Sequence, residues 1–183
     1  YGSRSRKVKT DGRDTAALFD ACRLGIYRRA HRVSAAQRTR RQQLRIRRHL
    51  VQLRSRGISL LRATLRQEGW RLPSGSAEAI DRRLDALALP PVLLATLAPL
   101  QTWLRELNAL LRAADAAVDA LAASDAVAQN LMTAPGVGPV VALTFAAVLD
   151  DPARFHGDAA RASAFLGLVP TEDSSAERRH KGH

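Results

Sequence analysis

The sequence has little sulfur, few aromatic residues and no long unbroken apolar run. Its single cysteine, Cys22, excludes a disulfide within the chain, and no Cys/His grouping has the spacing of a zinc site. A reducing, cytoplasmic setting is therefore expected. Two Trp, two Tyr and four Phe leave Leu, Ala and Val to build any core, a composition that favours helices. The longest uncharged stretch, Ala126 to Leu149, is interrupted by Gln129, Asn130, Pro135, Gly136, Gly138 and Pro139, so no membrane span is expected. There is no signal-peptide pattern; a start at Tyr1 and a stop at His183 in a charged run give the expectation of a piece of a longer protein.

Acidic residues are scarce in the first part of the chain. Residues 1–72 hold 20 Lys and Arg against 4 Asp and Glu, whereas residues 73–176 hold 6 against 12, so the net charge of +12 is an N-terminal property. An excess of that size attracts a polyanion through counterion release, and nucleic acid is the expected partner ahead of an anionic membrane.

The periodicities are helical. Leu18, Cys22 and Ile26 step by four, predicting a helix over 14–27 with Asp11 and Asp14 near its start. Carboxylates three apart share a helix face; they can hold a cation such as Mg²⁺ or simply suit the helix dipole. Between Ser34 and Glu68 the only helix breaker is Gly57, and Leu44, Val51, Ile58 and Leu65 recur every seven residues. A long amphipathic helix follows, with an outer arginine surface that includes Arg38, Arg40, Arg41, Arg45, Arg47, Arg48 and Arg54 and would track a phosphate backbone. Ser76 is placed to cap a short helix closed by Pro90-Pro91. Leu97, Leu100, Leu104, Leu107, Leu111, Ala114, Val118 and Leu121 then form an a/d seam. Its natural partner is the basic helix packed antiparallel, although pairing between chains satisfies the same pattern.

Ser124 or Asp125 caps the next predicted helix. Pro135-Gly136-Val137-Gly138-Pro139 makes a turn into another helix that ends at Leu149, an arrangement resembling a helix-hairpin-helix, in which Gly136 and Gly138 let backbone amides approach a phosphate. Phe155 is placed to anchor the following turn and Asp158 to cap a helix through Leu166. The terminal stretch reads as a polar loop in which Ser174 and Ser175 lie near Arg178, Arg179, His180 and Lys181, cations able to hold a phosphate beside a hydroxyl nucleophile.

Four motifs in this order, Lys9-Thr10-Asp11-Gly12-Arg13-Asp14, the arginine-rich helix ending Leu65-Arg66-Gln67-Glu68-Gly69, Ala134-Pro135-Gly136-Val137-Gly138-Pro139, and Phe165-Leu166-Gly167-Leu168-Val169-Pro170 ahead of Ser174-Ser175, resemble the DEDD-type insertion-sequence transposases. Those are serine-dependent recombinases guided by a bridge RNA. The resemblance implies a mainly α chain in three parts: the end of a RuvC-like domain at 1–30, a basic coiled-coil stem at 31–123, and a small transposase domain at 124–183. It further implies that Asp11 and Asp14 are the last two acids of a Mg²⁺ site and that Ser175 attacks the phosphodiester, with Ser174 as alternative. Ala176 stands where the family usually has Gly, and the first two acids of the site have no counterpart here. DNA, a structured guide RNA and further copies of the protein are the implied partners, in a bacterial, nucleoid-associated setting, and the chain alone is expected to be inactive. Two other readings remain: a non-catalytic nucleic-acid-binding helical module, and a RuvC-like nuclease that cuts by metal-activated water.

Overall fold

In the computed structural model, residues 11–27 and 30–168 are described in full, and residues 172–175 and 178–181 as backbone. The basic stretch 1–10 lies outside them. The chain divides into two units, Tyr1–Val33 and Ser34–His183.

The first unit contains α1, Asp11–Leu24. It ends three residues before the 14–27 expectation because Gly25, at φ +66°, turns the chain into the left-handed region. There Gly25 N–H donates to Cys22 and Ile26 N–H to Ala21, which satisfies the last free carbonyls in a Schellman motif. Ile26 thus lies beyond the helix, and Leu18 and Phe19 are exposed.

The second unit is built on two helices of 33 residues, α2 (Ala35–Gln67) and α4 (Pro91–Ala123), each about 50 Å long. Ser34 caps α2 by accepting from Gln37 N–H at 3.3 Å, while its own N–H and hydroxyl donate to the Asp150 carboxylate at 2.9 and 2.7 Å. Gly69, at φ +77°, ends α2 in a second Schellman turn, with Trp70 N–H on Leu65 at 2.8 Å. The pairing is antiparallel: Arg54 meets Asn108, Arg47 meets Asp115 and Arg40 meets Asp125, one series falling as the other rises. Leu97, Leu104, Leu107, Leu111 and Val118 are buried along this seam, so the heptad packs within the chain.

The short helix between them, α3, runs only Ile80–Asp85, and its N-cap is Ala79. The Ser76 cap expected from sequence does not form: the helix starts four residues on, at Ile80. Arg83 folds back to donate to the carbonyls of Pro73, at 2.8 Å, and Ser76. Pro91 does not close this helix; it opens α4 at the first helical position, where the missing N–H has no intrahelical bond to lose.

Two apolar clusters hold the unit. In one, Ile58, Leu61 and Leu65 of α2 meet Leu93, Leu97 and Leu104 of α4, with Ile80 and Leu84 of α3 closing the end. Each fully buried Leu or Ile contributes about 1.5–3 kcal/mol relative to exposure. In the other, Val118 and Ala122 of α4 pack on Ala128 of α5 (Ala126–Met132) and on Ala142 and Leu143 of α6 (Pro139–Leu149), with Leu44 of α2 beside them. Asp151 caps a 3₁₀ turn, Pro152–Phe155, and Asp158 caps α7, Ala159–Phe165. Phe155 is buried, as its anchoring role requires, and its ring lies 5.5 Å from that of Phe165.

The fold is mainly helical, as composition predicts, but the terminal stretch departs from the expected loop. Glu172–Ser175 (β1) and Arg178–Lys181 (β2) form an antiparallel pair. Its register sets Glu172 opposite Lys181 and Asp173 opposite His180. No helix among the described residues is long and apolar enough to cross a membrane.

Candidate functional site

Asp11 and Asp14 both lie in the first turn of α1 and are exposed, with Thr15 Oγ1 donating to the Asp11 carbonyl at 2.8 Å. Three-residue spacing puts them on one face. Among the described residues no group of three or more His, Cys, Asp or Glu side chains is placed to hold a metal ion. The first turn therefore offers two carboxylates, a donor set that suits Mg²⁺ when phosphate oxygens, water or further acids complete its shell.

The expected outer arginine surface divides into two groups. Arg40, half-buried, pairs with Asp125 at 2.8 Å. Arg41 donates to the carbonyls of Ala147 and Val148, at 2.9 and 3.2 Å, satisfying the C-terminal turn of α6. Arg47 bonds Asp115, and Arg54 bonds Glu78 at 2.6 Å and the buried Asn108 at 3.2 Å. These four arginines hold the unit together. Arg38, Arg45, Arg48, Arg56 and Arg66 are exposed on α2, where their charge is open to a polyanion. A signal for the division lay in the spacing: Arg40, Arg47 and Arg54 precede the core residue Leu61 by seven-residue steps, so they continue its inward position.

The Arg40–Asp125 pair has a pH signature. Asp125 accepts from Ala128 N–H at 2.8 Å, and this bond, with the Arg40 charge, holds its carboxyl below the ordinary value of 3.8 against the opposing effect of burial. A carboxylate with a depressed folded-state pKa stabilises above its unfolded pKa, and that stability is lost as pH falls through the folded value. Asp125→Ala should cost about 2–3 kcal/mol at neutral pH, from the cap and the stranded arginine. Asp125→Asn, which keeps a capping oxygen, should cost less. Urea melts should show both differences shrinking as pH is taken below 3.8; a gap that does not change with pH would contradict this role for the charge.

Between α5 and α6 the glycine turn forms as expected. Gly136 sits at φ +81°, a conformation that favours glycine, and Gly138 is the extended N-cap of α6 with no side chain capping the helix. Nothing lies within 4 Å of the Cβ position at either glycine, so this backbone borders open space. Half-buried Val137 fastens the turn to the second core cluster.

At the end of the chain, the hairpin register sets Ser174 against Arg179 and Ser175 against Arg178. Ser175 is the last residue of β1, next to the connection. The side chains of these four residues lie outside the described set.

Comparison with known proteins takes in this region and more of the chain. Residues 128–183, from α5 through the hairpin, match the family described as Transposase IS116/IS110/IS902 family. Over 175 residues the chain is 27% identical to the transposase for insertion sequence element IS1111A of Coxiella burnetii (strain RSA 493 / Nine Mile phase I). That alignment takes in 93% of this chain and 48% of the relative, so the chain spans about half the length of the curated protein it matches. No solved structure matches it.

Proposed function

We propose that this chain is part of a DNA transposase of an insertion sequence, and that its terminal hairpin carries the residue that attacks DNA. The observation that carries the reading is the match over residues 128–183 to a transposase family, a stretch that contains both the glycine turn and Ser174-Ser175. In the proposed reaction the Ser175 hydroxyl oxygen forms a bond to the scissile phosphorus, and the bond from phosphorus to one sugar oxygen breaks. The departing sugar oxygen takes up a proton as the serine gives one up. The resulting phosphoserine keeps the phosphodiester energy, so a sugar hydroxyl of another strand can reverse the step and rejoin DNA without a nucleotide cofactor.

Arg178 and Arg179, opposite the serines in the register, supply positive charge for the phosphate. Asp11 and Asp14 would hold Mg²⁺ together with acids outside this chain, and the ion when bound would neutralise charge on the phosphate. The exposed arginine face of α2 and the open backbone at Gly136 and Gly138 would carry backbone contacts to DNA and to a structured guide RNA, positioning them without reading their sequence. Assembly of several copies is part of the same reading.

The test uses the intact protein with DNA bearing the element's ends, resolved under denaturing conditions. DNA linked covalently to protein is the expected product. Cleaved DNA with no protein attached would replace serine chemistry by metal-activated water, and binding without cleavage would leave a non-catalytic module.

A further inference from the structure

A cleft of about 520 Å³ opens where α2, α6 and α7 meet, a size in the range of small-ligand sites. Its floor is apolar: Leu44 and Val51 from α2, Val140 and Val148 from α6. Phe165 forms a wall, half-exposed and set in place by its ring contact with Phe155 and by Arg154, whose guanidinium carbon lies 4.3 Å from its ring centre. Arg45 and Arg48, one helical turn apart, stand at the rim. The other two arginines of the lining, Arg41 and Arg47, are engaged by the α6 carbonyls and by Asp115. Among the described residues Arg45 and Arg48 have no carboxylate partner, and no acid lines the cleft.

Two requirements meet here. The floor excludes a purely polar ligand, and the unneutralised rim favours an anion. A nucleotide meets both, with a flat base for the floor and aromatic wall and a phosphate on the far side of its sugar for the arginines. Bases within a duplex are stacked and cannot enter, so the unit must be unpaired. We propose that this cleft holds a single unpaired nucleotide of a nucleic-acid strand, its base against Phe165 and the apolar floor and its phosphate between Arg45 and Arg48. The inference rests on the reading that the chain works on nucleic acid.

Thr144 allows the cleft to be filled without touching its charge. It is exposed, lines the cleft, and its hydroxyl bonds only to the Val140 carbonyl of its own helix, at 2.6 Å. The test measures binding of oligothymidine, oligouridine and a DNA duplex to the 183-residue chain and to its Thr144→Phe variant. The variant should bind the single strands about tenfold more weakly, the scale of one lost base stack, with duplex affinity unchanged. Arg45→Ala and Arg48→Ala should each lower the single-strand salt slope by about 0.7. Preference for oligouridine or oligothymidine assigns the strand as RNA or DNA. As a second readout, 5-iodopyrimidine oligomers should photocrosslink to Phe165. Equal single-strand affinities in a folded Thr144→Phe variant, or crosslinks confined to residues outside the cleft, would overturn the cleft alone. A chain that binds duplex but no single strand does the same, and one that binds no nucleic acid overturns the functional reading as well.

Discussion

Replacing Gly57 by valine is expected to destabilise the helical stem by about 3 kcal/mol, lowering the melting temperature by roughly 6–12 °C. Gly57 is buried in the middle of α2, where a glycine costs about 1 kcal/mol against alanine in an exposed helix. Its lack of a side chain admits α4: a Cβ at this position would overlap Cζ3 of Trp103 and stand 2.9 Å from Cδ2 of Leu104. Leu104 is fully buried and has nowhere to move, whereas Trp103 is 38% exposed and can swing outward. The cost should therefore be graded. Alanine regains helix propensity and displaces mainly the tryptophan, so its net effect should be about 1 kcal/mol or less; valine adds two methyls at a seam already filled by Ile58 and Leu61. Trp103→Ala in the valine background should recover part of the loss, and a thermal double-mutant cycle would measure the coupling. Additive effects of the two changes would mean that Gly57 is not the contact that sets the helix separation.

Gly57 also shows how far the sequence could be read. The seven-residue repeats on both long helices give their existence, their apolar faces and their antiparallel pairing, because burial of one stripe on another is the main way such a pattern gains stability. What a hydropathy pattern cannot show is a polar residue turned inward. Arg40, Arg47 and Arg54 look like a solvated surface by residue type, yet they lie at the register of Leu61 and end on Asp125, Asp115 and Asn108. Their partners are 54 to 85 residues away, and no local rule links them. The boundary at Ser76 failed too: the helix starts only at Ile80, and Arg83 reaches back from it to the Pro73 and Ser76 carbonyls, a contact no local rule gives. The hairpin at 172–181 was hidden because four-residue strands with no apolar alternation carry almost no periodic signal.

These same assignments change how nucleic-acid binding should be probed. Reversing Arg40, Arg41 or Arg47 to Glu would set a carboxylate against Asp125, the α6 carbonyls or Asp115 and disturb the fold before it reported on any partner. Among the described residues Arg45 and Arg48 have no such internal partner, so substitutions there separate electrostatic contact from stability.

In the intact protein, Ser175→Ala is expected to reduce covalent protein–DNA adduct to background, while Ser174→Ala leaves it measurable. The two serines are adjacent, and both face arginines in the strand register, Ser175 against Arg178 and Ser174 against Arg179. What separates them is position: Ser175 is the last residue of β1, and it is the serine to which the proposed reaction assigns the attack. The residue after it gives a third variant. If the attack needs left-handed backbone immediately after the nucleophile, Ala176 carries strain there of about 1–2 kcal/mol, and Ala176→Gly should raise the adduct-forming rate about 5- to 30-fold. Loss of adduct in Ser174→Ala with retention in Ser175→Ala would move the nucleophile by one residue and remove the argument from Ala176. Retention in both single variants and in the double variant would exclude these serines as the attacking groups and return the hairpin to a role in holding DNA.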